Sequence, residues 1–166
     1  MRIRVWLVVF VIGLIVSGVT AFPLESETRL LVHLLHADWS PAPEQLPPLV
    51  DWADRVHSGI AATNRDYPFI AYGTDWLAFA HLVIAVAFWG PLRDPIRNVW
   101  VVQFGMIACA AVVPLALIAG AVRGIPWWWQ LIDMSFGAVG IIPLLIAYLN
   151  IRKLATLARE AAQAVG

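Results

Sequence analysis

Four long apolar blocks constrain this chain more than anything else in it: Val5 to Phe22, Ile70 to Trp89, Val99 to Val122 and Ile125 to Leu149. The second is broken only by Asp75 and His81; the third carries Gln103 and Pro114, and the fourth carries Gln130, Asp133 and Pro143. Each is close to the ~20 residues that, at ~1.5 Å per residue, take a helix across the ~30 Å hydrocarbon core of a bilayer. A water-facing domain needs more polar surface, with about a quarter of its residues charged. Here 13% are charged and 61% hydrophobic, and the mean hydropathy is +0.77. The blocks do not alternate polar and apolar residues, and a spanning helix bonds its backbone groups within itself, so they read as helices. The expected fold class is all-α: an integral membrane four-helix bundle forming a single membrane domain over residues 1–166.

Local chemistry sets the expected boundaries. Gly90-Pro91 is expected to stop the second helix, and Asp94-Pro95 to start the third with Asp94 as N-cap. Gly124 is expected to end the third and Pro126 to open the fourth, so helices two to four should be antiparallel neighbours. The first block follows Arg2 and Arg4, and Val19-Thr20-Ala21 resembles a signal-peptide cleavage site. Its length favours a retained span.

Lys and Arg near the block ends set the orientation. Arg2, Arg4, Arg93, Arg97, Arg152, Lys153 and Arg159 fall on one side; Arg29, Arg55, Arg65 and Arg123 fall on the other, spread over a longer stretch. Both termini, including a tail over residues 150–166, are therefore expected in the cytoplasm. Indoles favour the two membrane–water interfaces. Trp6, Trp89 and Trp100 would anchor the inner one, and Trp76, Trp127, Trp128 and Trp129 the outer one.

The outer segment, residues 23–68, contains two apolar stripes at helical spacing. Leu30, Leu31, Leu34 and Leu35 form one; Leu49, Trp52, Ala53, Val56 and Ile60 form the other. Ser40-Pro41-Ala42-Pro43 and Pro47-Pro48 lie between them. Two amphipathic helices joined by a proline-rich turn are expected, their apolar faces capping the bundle, lying on the membrane surface or docking a partner.

An ionisable side chain inside a span costs a few kcal/mol on insertion scales and needs a partner. On this topology Asp75, His81, Arg123 and Asp133 share the outer half of the bundle. They are expected to form a polar cluster, with Arg123 pairing Asp75 or Asp133 and His81 bonding a carboxylate, that either pins helix register or serves as a proton- or ion-handling site or a small polar pocket. Gly13-xxx-Ser17 and Ala116-xxx-Gly120 are small-xxx-small patterns, and Gly137 and Gly140 flatten the fourth helix, so close helix contacts are expected there.

Several chemistries find no support. Net charge is zero without a basic patch, against a nucleic-acid partner. A single cysteine, Cys109, excludes disulfides and CxxC redox chemistry within one chain. Among His33, His36, His57 and His81 only the last lies in a span, short of the paired histidines that hold a haem between helices. There is no HExxH, P-loop, GxSxG or dinucleotide fingerprint. No catalytic residue, metal site or cofactor is expected.

Four stretches are familiar: Tyr72-Gly73-Thr74-Asp75-Trp76-Leu77-Ala78-Phe79-Ala80-His81, Gly90-Pro91-Leu92-Arg93-Asp94-Pro95-Ile96-Arg97-Asn98, Arg123-Gly124-Ile125-Pro126 and Ile132-Asp133-Met134-Ser135-Phe136-Gly137. They resemble a group of small, functionally uncharacterised bacterial four-helix membrane proteins. The resemblance implies a bacterial inner-membrane protein and brings no activity or cofactor. The function expected is that of a non-enzymatic accessory or scaffold subunit of a larger membrane complex, such as a respiratory or photosynthetic one, whose partners are lipid and other subunits. A small proton- or ion-coupled transporter using Asp75, His81, Arg123 and Asp133 is the alternative, and a haem- or pigment-associated redox subunit is a third.

Overall fold

A computed structural model describes residues 2–165. The described residues are mostly helical, with no strand among them: α1 (Arg2–Thr20), α2 (Leu24–Leu35), α3 (Ala42–Gln45), α4 (Pro47–Asp66), a 3₁₀ turn (Pro68–Ile70), α5 (Ala71–Ala87), α6 (Trp89–Arg93), α7 (Val99–Arg123) and α8 (Trp127–Val165). Four helical stretches are long and apolar enough to cross a membrane: Arg2–Thr20, Pro68–Arg93, Val99–Arg123 and Trp127–Ala164. These are the four apolar blocks, so the all-α reading holds. The fourth runs far past its block. At 39 residues α8 is roughly 58 Å long, about twice a hydrocarbon core, so the polar tail continues the same helix.

By their contacts the residues divide into two units, Met1–Leu14 with Ile84–Gly166, and Ile15–Val83. In the first, α7 and α8 form an antiparallel hairpin whose close approaches run in opposite order along the two helices. Gly105 lies against Leu144, Cys109 against Gly137 and Gly140, and Gly120 against Gln130. Removing the β-carbon at these points lets backbones approach closely, and in lipid such packing takes over the role that hydrophobic burial has in water. Leu7, Phe88, Val102, Leu144, Ala147 and Ile151 are buried together here, and the Phe10 and Phe88 rings meet at 4.9 Å.

The hairpin turn follows from Gly124. Its φ of 67° and ψ of 29° are left-handed, a conformation glycine adopts without a β-carbon clash. The Gly124 N–H donates to the Ala121 carbonyl and the Ile125 N–H to the Gly120 carbonyl, the paired bonds of a Schellman cap. Gln130 then donates from Nε2 to the Ile125 carbonyl at 2.8 Å, and Pro126 accepts from the Trp129 and Gln130 N–H groups.

Two expected boundaries are corrected. Gly90-Pro91 does not end a helix: both residues lie inside α6, and the helical stretch stops at Asp94. Pro91 is tolerated because it stands in the first turn of α6, where its missing N–H would have no partner within that helix. Asp94 does not cap α7, which begins at Val99 after Asn98. Its Oδ1 accepts from the Arg97 N–H at 3.0 Å, capping a separate turn. The Asn98 carboxamide locks that turn by donating to the carbonyls of Gly90 and Asp94.

In the second unit residues 23–68 fold as two helices with a proline-rich connection, α2 and α4, with the short α3 between them. Polar side chains clasp α2 to α4: Asn64 Nδ2 donates to Glu25 Oε2 at 2.8 Å, Thr28 meets His57 at 3.1 Å, and His36 pairs with Asp54 at 3.0 Å. Of the α4 stripe Ala53 is buried, as is Val50 outside it, whereas Leu30, Leu31 and Leu34 of α2 remain exposed. Gly18 of α1 lies against the Ala78 carbonyl, His81 and Leu82 of α5.

Candidate functional site

The four ionisable residues expected to cluster divide between the two units: Asp75 and His81 in one, Arg123 and Asp133 in the other. Asp75 and His81 stand on α5 in the second unit. Six residues apart on a helix with 3.6 residues per turn, they point about 120° from one another. Asp75 is half-buried and lines a small cleft with Phe22, Tyr72, Trp76 and Phe79. Of these, Trp76 meets Tyr72 and Phe79 edge to face at 5.9 and 6.3 Å. The His81 ring donates from Nδ1–H to the Leu77 carbonyl one turn back, at 2.8 Å. That bond places the proton on Nδ1 and leaves Nε2 as the acceptor of the neutral ring.

Arg123 and Asp133 belong to the first unit, on either side of the α7–α8 turn. Arg123 is the last residue of α7, where a cation complements the negative end of the helix, and it is exposed; Asp133 is half-buried. Among the described residues the close acid–base contacts are Arg29–Glu25 and His36–Asp54, the second an ion pair only with His36 protonated, and both lie within residues 23–68.

Two further cavities have several polar groups in their walls. One, of about 390 Å³, opens in the second unit where α1 ends, α2 begins and α4 gives way to α5. Phe22 and Ile70 supply apolar wall; Glu25, Thr63, Asn64 and Thr74 supply polar wall. The Asn64 carboxamide, with Arg29 on the other oxygen, holds the Glu25 carboxyl below its ordinary range. The second cavity, of about 280 Å³, lies in the first unit where α7 begins and the apolar stretch of α8 ends. Arg152 and Arg159 line it with Gln103 and Tyr148, over an apolar wall that includes Val99 and Ile151. In the sequence Gln103 stands alone near the start of its apolar block, and the two arginines mark only sidedness. Their spacing of seven residues, two helical turns on one face, is the signal that joins them.

The expected anchor tryptophans sit near helix starts. Trp89 opens α6, Trp100 is second in α7, and Trp127, Trp128 and Trp129 open α8. Trp76, Trp89, Trp100 and Trp127 are exposed, while Trp128 and Trp129 are half-buried and meet edge to face at 5.9 Å. No three His, Cys, Asp or Glu side chains gather as metal ligands among the described residues. No family model, curated protein or solved structure matches the chain.

Proposed function

We propose that this chain is a multi-pass protein of the bacterial inner membrane, both termini in the cytoplasm, that serves as a non-enzymatic accessory or scaffold subunit of a larger membrane complex. The observation that carries the reading is how much apolar helix surface is left uncovered. In the stretches Pro68–Arg93 and Val99–Arg123 only 11% of the most apolar window is buried. Val86 is 73% exposed, Phe136 71% and Ile118 67%. The Gly13 side of α1 also has nothing within 4 Å of where a β-carbon would stand, although small residues there suit close approach of another helix. Such faces meet either lipid or the helices of a partner.

The two cases separate by photocrosslinking in native membranes, with a benzophenone side chain placed at Val86, Ile118 or Phe136 in turn. A subunit gives a protein adduct of one defined mass at some positions and none at others. Lipid adducts alone, at all three positions, would refute the proposal.

A further inference from the structure

We infer that the cavity between the start of α7 and the end of the apolar stretch of α8 binds a phosphate group, that of an anionic phospholipid. The inference rests on reading α7 and α8 as membrane spans. Arg152 and Arg159 stand seven residues apart, so both guanidinium groups leave the same face of α8, about 10 Å apart along its axis. Both are exposed, and neither pairs with a carboxylate among the described residues. No carboxylate lines the cavity.

Guanidinium groups present N–H forks that match phosphate oxygens two at a time, and two of them on one cavity define an anion site. Gln103 on α7 and Tyr148 on α8, one turn before Arg152, add a carboxamide and a phenol able to bond further phosphate or glycerol oxygens. The Thr156 hydroxyl is already committed to the Arg152 carbonyl at 3.1 Å. A soluble phosphate would use only the polar half of this lining. The apolar wall at Val99 and Ile151 fits the start of an acyl chain, and it lies where α8 passes from Leu149 to Arg152 and Lys153, the headgroup level of a span ending there. Basic pockets between transmembrane helices on the cytoplasmic side hold anionic headgroups for this reason.

The test uses the full chain, purified in mild detergent and titrated with phosphatidylglycerol or phosphatidylcholine, with bound lipid counted by native mass spectrometry. The expected result is a preference for phosphatidylglycerol of roughly ten- to thirtyfold, the effect of two arginines at an anionic headgroup. Arg152→Gln with Arg159→Gln should bring the two lipids level, while Arg123→Gln, at the other end of α7, should keep the preference. Should the double glutamine variant lose its fold, Arg152→Lys with Arg159→Lys keeps the charge without the fork and should show a reduced preference. Equal retention of both lipids by the native chain, or an undiminished preference in the double variants, would overturn the inference. Displacement of phosphatidylglycerol by millimolar inorganic phosphate would overturn the lipid assignment in favour of the free anion. A carbonate wash of the source membranes reports separately on the spans: a chain that resists extraction yet shows no lipid preference leaves the membrane reading standing and removes only the site.

Discussion

The α7–α8 hairpin should fail at Gly137 before it fails at any exposed position. A β-carbon built there would collide with the backbone carbonyl of Cys109 and stand 3.2 Å from Val112 Cβ. Neither neighbour is the far end of a flexible side chain, so Gly137→Ala must push the two helices apart by roughly 1 Å. A gap of that size forfeits a quarter to a half of each affected dispersion contact. Inserting a methyl group into a close-packed interface costs about 1–3 kcal/mol. Against this, alanine recovers about 1 kcal/mol of helix propensity. The net loss is about 0–2 kcal/mol, and Gly137→Val should exceed it. Gly13→Ala is the matched control: the same gain in propensity, with open space where the methyl group goes. Thermal unfolding in mild detergent, followed by circular dichroism, should rank the proteins Gly13→Ala at or above native and Gly137→Ala below it. A Gly137→Ala chain as stable as Gly13→Ala would refute the close approach of α7 and α8.

Three further outcomes follow from single contacts. Gln130→Leu deletes the bond from the buried Gln130 side chain to the Ile125 carbonyl and should cost about 1 kcal/mol, read in the same unfolding assay. Gly18→Ala places a methyl group 2.9 Å from the Ala78 carbonyl oxygen, a backbone atom, and should destabilise by about 1 kcal/mol once propensity is set against strain. Glu25 should titrate below its ordinary value of 4.5, chiefly through Asn64 and then Arg29. A depressed folded pKa means that its contribution to stability is present above the unfolded pKa and is lost as pH falls through the folded one. Acidification below that folded pKa should therefore loosen α2 from α4, and Asn64→Ala should return the midpoint towards 4.5 in a carboxyl NMR titration. An unshifted Glu25 in the native chain would contradict the clasp.

Helix existence was legible because a run of apolar residues long enough to cross a bilayer admits few other folds. Helix ends were less so, for specific reasons. Pro91 suggested a stop, yet a proline in a first turn breaks no bond. The end of the fourth apolar block suggested a tail, yet residues 150–165 contain no glycine or proline, and their Ala, Leu, Lys, Arg and Glu favour continued helix. Gly124 was readable because a left-handed cap there requires glycine. The cavity at Arg152 was not, because it depends on the stagger of α7 against α8. That stagger is set by Gly105, Gly120, Gly137 and Gly140 meeting particular partners, which spacing within one helix does not specify.

The polar residues of the apolar helices show how the stagger is held. His81 bonds the Leu77 carbonyl, Thr74 that of Ala71, Ser135 that of Ile132 and Asn150 that of Ile146, each three or four residues back on its own helix. A side chain satisfied in this way meets its desolvation cost without a second helix, so it places no constraint on what packs beside it. Gln130 differs by reaching across the turn, and it does so where Gly120 makes room. Within the α7–α8 hairpin, then, register is carried by shape at the glycines and, at the turn, by the backbone cap bonds together with the Gln130 side-chain bond. It follows that Ser135→Ala should leave unfolding unchanged while Gly137→Ala, two residues on along the same helix, should not.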